Sequence, residues 1–475
     1  MLGKRLGGYS VVAILGCTGA FAQNARSVLD EASHAIGAES VKTLQYSGSG
    51  FEFAFGQAPT AAAPWPKFIV KSYTRVIDLE KPATRVERVR VQGENPPRGG
   101  GGQPIAGEQQ QTQAVVVDSS TPWQQQLDIW ATPYGFLHAA AGRDTQVRPK
   151  VLGGKKYQVV TFKGPDGAEV SGYINDHNLI ERIEAWVDTP VLGDTPLDFV
   201  YSDYKDFGGT WFPAHIVQTE GDHPILDLRV TDVKVNIPVS IQPSAAAAAN
   251  PPTQSQKLGE GVYLITGGYS VIAVDFTNHI TLFESGQSEA RALAVIAEAK
   301  RLIPGKPIQY VVNTHSHFDH AGGLRTFVAE GATILTYRTN KAYLEKVLAR
   351  PHTISPDKAQ GSGRKPVVEA VGEKQILTDG THTVELYHLE NFGHHDGMLI
   401  AYFPKEKVLL EADAYNPQPT GTSPPSPASP FNVSLLDNIQ RLRLDVTRIV
   451  PVHYPADSRV VTLAELNKWV GRGGS

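Results

Sequence analysis

The string Thr314-His315-Ser316-His317-Phe318-Asp319-His320 constrains this chain more than any other feature of it. An apolar run, Ile308-Gln309-Tyr310-Val311-Val312-Asn313, precedes it, and a helix-like stretch over 321–330 follows. A strand that passes through three imidazoles and a carboxylate into a helix must set those groups at the edge of a sheet. In extended chain, residues two apart point the same way, so His315 and His317 can serve one ion. Asp319 and His320 fall where the chain bends into the helix and can face a second ion. Imidazole suits zinc, and a carboxylate adds a hard, charged ligand. Without a cation, the clustered imidazoles would need desolvation and would repel one another on protonation.

Four groups cannot close two sites, and composition narrows where the others come from. One cysteine excludes an internal disulfide and a Cys-rich zinc ribbon. Any metal must therefore rest on His and Asp/Glu, and ten of the fifteen histidines lie beyond residue 258. Three further places in that half sit just past an apolar run. They are Gly393-His394-His395-Asp396, Asp413 after Val408-Leu409-Leu410, and His453 after Ile449-Val450-Pro451-Val452. Loops at strand ends are where a layered fold puts its chemistry.

A length of 475 residues favours two domains. Residues 1–22 read as a secretory leader: Lys4 and Arg5, an apolar stretch, then Ala20-Phe21-Ala22 as a cleavage pattern. This predicts a periplasmic or secreted protein. Ile14-Leu15-Gly16-Cys17 also resembles a bacterial lipobox, which would make Cys17 a lipid anchor on an outer-membrane lipoprotein. No later segment is long and apolar enough to span a bilayer. The net charge of −4 shows no basic footprint for nucleic acid.

Residues 23–238 are predicted to form a β-rich domain. Helical spacing over 24–42 gives way to strand-like runs at 157–162, 169–174, 179–187, 197–204, 211–219 and 225–235. Their alternation predicts an antiparallel sheet covered on one face. An aromatic-rich helical stretch over 122–141 is expected to close that face. Residues 93–113 are low in complexity and read as a loop. The order of one helix followed by long strands resembles the lipoprotein-carrier half-barrels of the bacterial envelope, without a motif. Residues 239–256 read as a Pro/Ala/Ser linker. From 257 onward strands and helices alternate, which implies an α/β layer structure.

The order H-x-H-x-D-H, then Gly-His, then a lone Asp, then a His after Ile-Val-Pro resembles the metallo-β-lactamase superfamily over about 257–475. The resemblance implies a four-layer αβ/βα sandwich, so the whole chain is of mixed α/β (α+β) class. It implies two Zn²⁺ ions: His315, His317 and His394 on the first, Asp319, His320 and His453 on the second, and Asp413 bridging. His395 beside His394 is the alternative at that position. The implied activity is hydrolysis of a small-molecule ester, lactone, thioester or amide by a metal-bridging hydroxide, with Asp319 also orienting the nucleophile. Asp413 stands where true β-lactamases of the family carry Cys or Ser, which leaves β-lactam hydrolysis as an alternative. A second alternative is a non-enzymatic envelope protein that binds lipid and keeps a vestigial metal site.

Glu284 stands where the family often has Asp and is read as supporting the ligands. His388 lies in an apolar strand and reads as a satisfied core residue. His279, His352 and His382 read as surface or turn residues, and the Pro/Ser-rich 416–431 as a spacer or as the rim of a cleft. Residues 257–475 are expected to hold the metal by themselves.

Overall fold

The computed structural model describes residues 18–472 except 62, 95–97, 99–106, 166 and 245–251, with side chains from Ala25 onward. Residues 1–17 of the expected leader, Cys17 among them, lie outside the described residues.

The first half is one eleven-stranded sheet in which every neighbouring pair is antiparallel. The strand Gln109–Val116 forms one edge and Thr145–Leu152 the other. In the middle, the first strand, Thr43–Phe53, pairs with the last, His223–Val235. The helix Thr18–Ile36 buries Ala25, Leu29, Ala32 and Ile36, an i, i+3, i+4 stripe. The helices Trp123–Trp130 and Pro133–Ala141 bury Leu127, Trp130, Tyr134 and Phe136 in the same core. These three helices cover one face of the sheet, as the aromatic stretch predicted. The end of the low-complexity segment is itself a strand. Gln111 accepts a hydrogen bond from Arg88 and Gln109 one from Arg90, so the glutamines pair across the edge.

The second half holds a seven-stranded and a six-stranded sheet. The seven-stranded sheet begins with Gln254–Gly259 and turns parallel from Ile280–Phe283 through Ile308–Val312 and Thr333–Tyr337 to Val367–Val371. The six-stranded sheet has one parallel pair, Val408–Glu411 with Arg448–Pro451. The burial pattern gives the layering. On one face of the larger sheet, Leu264, Ile272, Phe283 and Val312 meet Leu386, Leu399, Phe403 and Leu410 of the smaller. Ile265, Val271, Leu282 and Val311 point to the other face, under the helices Glu289–Leu302, Leu324–Glu330 and Lys341–Leu348. The helices Pro430–Arg441 and Leu463–Val470 pack outside the smaller sheet. Helix, sheet, sheet, helix is the expected four-layer order.

The two halves share a core. Ala58, Trp65, Val191 and Leu192 of the first half belong to the apolar cluster beneath the outer helices of the second. His352, read as a surface or turn residue, is not at the surface. It is buried against Asp188, with Nδ1 2.8 Å from Oδ1. The cause is the turn 189–193, which docks on the segment after residue 349. Asp194 accepts from the amides of Thr353 and Ile354, and Gly193, at φ +65°, leaves no room for a Cβ beside the Pro351 carbonyl.

Candidate metal centre

Parallel strands open a crevice beyond their carboxyl ends, where the lateral hydrogen bonding stops. Each expected ligand sits there. His315, His317, Asp319 and His320 follow Ile308–Val312, Asp413 follows Val408–Glu411, and His453 follows Arg448–Pro451. His394 comes from the turn between Thr383–His388 and Leu399–Phe403.

All seven converge. Their ligand atoms form three groups, each within 4.8 Å: His315, His317 and His394; Asp319, His320 and His453; and His315, His320 and Asp413. Asp413 joins the other two. Its Oδ2 lies 3.6 Å from His315 Nε2, 3.7 Å from His394 Nε2 and 2.8 Å from His320 Nε2, while its Oδ1 is 3.0 Å from His453 Nε2.

Outer hydrogen bonds decide which nitrogen of His315, His317 and His320 faces inward. Thr314 Oγ1 donates to Glu284 and so accepts from His315 Nδ1 at 3.1 Å, leaving Nε2 toward the centre. His320 Nδ1 donates to Glu284 Oε2 at 2.5 Å, again leaving Nε2 inward. His317 is reversed: its Nε2 donates to the carbonyl of Ala58 at 2.8 Å, and Nδ1 is left bare. Such partners fix the tautomer and orientation of metal-binding imidazoles. His394 packs on the rings of Phe392 and Phe431. The neighbouring His395 is used up elsewhere. Its Nδ1 accepts from the Gly397 amide and its Nε2 donates to Ser316, so His394 is the ring that joins the cluster.

The donor set fits a cation. His315 Nε2, His317 Nδ1 and both nitrogens of His394 are buried without a hydrogen-bond partner among the described residues. A buried unsatisfied polar group costs about 1–3 kcal/mol. Several together would consume much of a stability of about 5–15 kcal/mol. A positive ion that takes one nitrogen from each ring removes most of that cost. Burial, reinforced by neighbouring imidazoles, pushes His315 well below the usual histidine range and His317 down to about 3. Both are therefore neutral with lone pairs free, the form a metal requires. His320 differs: burial opposes its charge, yet Asp319, Asp413 and Glu284 raise it well above the usual range.

Two backbone positions hold the cluster under strain. Glu284, at φ +88°, ends one strand of the larger sheet, and Asp413, at φ +58°, follows a strand of the smaller. Non-glycine residues in this region store roughly 1–3 kcal/mol each and persist where surroundings over-determine them. Glu411 braces the second turn by accepting from the amides of Ala414 and Tyr415.

Residues 265–453 match the family profile of the metallo-beta-lactamase superfamily. This half of the chain carries a metallo-beta-lactamase superfamily domain. Among curated proteins, the alpha subunit of a 2,4-dinitroanisole O-demethylase from Nocardioides sp. (strain JS1661) is 27% identical over 208 residues. That stretch is 43% of this chain and only 56% of the relative. Among solved structures, a metallo-beta-lactamase from Pontibacter korlensis aligns with 46% of this chain and 98% of its own at 15% identity, with a TM-score of 0.36. FIM-1 from Pseudomonas aeruginosa, in a mono-zinc form, aligns with 48% and 97% at 15% identity, with a TM-score of 0.34.

Three residues around the cluster of this metallo-beta-lactamase superfamily domain carried no signal in the sequence. Tyr269, in a glycine-rich turn, donates to Asp319 Oδ2 at 2.8 Å and meets the ring of His320 edge-on and that of His453 at a tilt. Gln57 donates to Asp319 Oδ1 at 2.9 Å. Ala58 supplies the carbonyl for His317. The last two come from the first half of the chain, so residues 257–475 do not complete the surroundings of the cluster by themselves.

Proposed function

We propose that the chain is an exported zinc-dependent hydrolase that holds two ions and opens an ester, lactone, thioester or amide of a small molecule. The observation that carries this is the convergence of seven donors around buried, unpartnered imidazole nitrogens, divided into two triads with Asp413 between them. His315, His317 and His394 would hold one ion, Asp319, His320 and His453 the other. Bound there, the ions would supply water activated to a pKa of ~7 and would polarise the electrophile's oxygen. The chain's own part is orientation. Tyr269 and Gln57 fix both oxygens of Asp319, which can then accept a proton from water along one direction. Glu284 holds His320 against Asp413.

The Nocardioides relative favours a second reading, the cleavage of an electron-poor aryl methyl ether by water to a phenol and methanol. Metal analysis by plasma mass spectrometry, with a panel of esters, lactones, thioesters, amides, β-lactams and 2,4-dinitroanisole, separates the readings. His317→Ala should abolish turnover and remove half or more of the bound zinc. Unchanged turnover would refute the assignment.

A further inference from the structure

The loop that leaves the strand Thr43–Phe53 and returns as Lys67–Asp78 does not lie over its own sheet. It crosses to the metal centre and touches ligand-bearing segments of both sheets of the other half. Phe318 donates its amide to the Gly56 carbonyl at 3.2 Å. Gln57 donates to Asp319, and Ala58 accepts from His317. Asp396, in the turn that carries His394, donates its amide to the Pro59 carbonyl at 2.9 Å. Four consecutive residues, 56–59, thus contact the 317–319 segment on one side and the 394–396 turn on the other.

We propose that this loop is a structural part of the metal centre, with Gln57 as a positioning residue for Asp319 and the Ala58 carbonyl as the group that sets the tautomer of His317. The inference rests on the two-cation reading above and says which residues make it work. A carboxylate only accepts, so the Gln57 side chain must present its NH₂ to Oδ1. With Tyr269 on Oδ2, both oxygens of Asp319 are held, and the carboxylate cannot rotate away from His320 and His453. The Ala58 carbonyl accepts only from a protonated Nε2, which leaves His317 Nδ1 bare for the ion. Gln57 therefore acts on the Asp319 triad and Ala58 on the His317 triad.

The loop is seated by a close fit. Gly56 is at φ +68°, and a Cβ there would lie 2.3 Å from the Phe318 ring. Phe55 and Trp65 meet the same ring edge-on, at 5.2 and 5.9 Å between centroids. A residue other than glycine at position 56 must push the loop or Phe318 out of place, and Phe318 sits between two of the ligands.

The test uses the full chain, stripped of metal and titrated with Zn²⁺ against a chromophoric chelator, then with Co²⁺ while its visible absorption is recorded. Loss of an outer partner costs a metal site about 10–100-fold in affinity. Gln57→Leu should weaken one of two sites by that factor and shift one of two Co²⁺ spectra, leaving the other as in the parent. Gly56→Ala should weaken both. Circular dichroism of each variant confirms the fold, and Gln57→Asn should recover part of the loss. Variants that are folded and hold Zn²⁺ as tightly as the parent would overturn the role of the loop while leaving the two-cation reading intact. A parent that binds no Zn²⁺ would overturn both.

Discussion

At the scale of the residue, the cluster is built around one short stretch of chain, from His315 to His320. Three imidazoles and a carboxylate within six positions have few other uses, and their order with His394, Asp413 and His453 carried the rest. What could not be read were groups that act through geometry alone. The Ala58 carbonyl is a backbone atom with no side-chain signature, and Gln57 and Tyr269 are ordinary residues whose direction depends on packing. His352 was misread because its partner, Asp188, is remote in sequence and belongs to the other half. The same blindness hides Glu220. It ends the strand Trp211–Glu220, is buried, and its Oε1 has no hydrogen-bond partner among the described residues. Burial pushes its carboxyl up to about 7. The folded state therefore holds a proton that the unfolded chain, near the ordinary 4.5, releases first. Stability from this group is complete below about pH 4.5 and is lost as pH rises through 7. Glu220→Gln should be nearly neutral at pH 4.5 and stabilising by up to about 3 kcal/mol at pH 8. Urea titrations of both proteins at the two pH values check it, and an equal difference at both would exclude the effect.

At the scale of the element, alternation exposed the strands from about 157 to 235, because one face of that sheet is buried and the other wet. The four strands before residue 117 gave a weaker signal. Thr43–Phe53 carries Gly48 and Gly50, and Gln109–Val116 begins in glutamines, so neither shows a clean period of two. In the second half the helix–strand alternation was plain, since parallel strands buried on both faces read as apolar runs. No periodicity, however, announces how one element docks on another. The turn 189–193 is the case in point, and its contact with His352 can be measured. His352→Ala removes a buried partner of Asp188 and should cost about 1–3 kcal/mol. Since this contact involves none of the seven cluster residues, Zn²⁺ content should stay at the parent's value. Denaturant unfolding with metal analysis tests both halves of the statement, and a folded variant that had lost its zinc would show that the interface reaches the ligands.

At the scale of the whole molecule, two segments of the first half enter the core of the second, and Arg98 adds an exposed ion pair to Asp396. The loop around Gln57 and the turn around Leu192 both enter the apolar cluster under the outer helices of the second half. Contacts between domains of one chain are commonly loose, and domains then melt separately. Here a shared core and a shared metal surround couple them, so a cation bound by the second half should stabilise the first. Five of the six tryptophans, Trp65, Trp123, Trp130, Trp186 and Trp211, lie in the first half, which lets tryptophan fluorescence report on it selectively. Zn²⁺ free at a hundred times its dissociation constant should add about 2.7 kcal/mol per site to whatever unfolds with that site. Heating the protein with Zn²⁺ and again with excess chelator should therefore move the tryptophan transition together with the loss of helical circular dichroism, as one cooperative event. If chelation lowered the helical transition and left the tryptophan transition where it was, the first half would be an independent body resting on the metal domain, and the loop would be a contact without energetic weight.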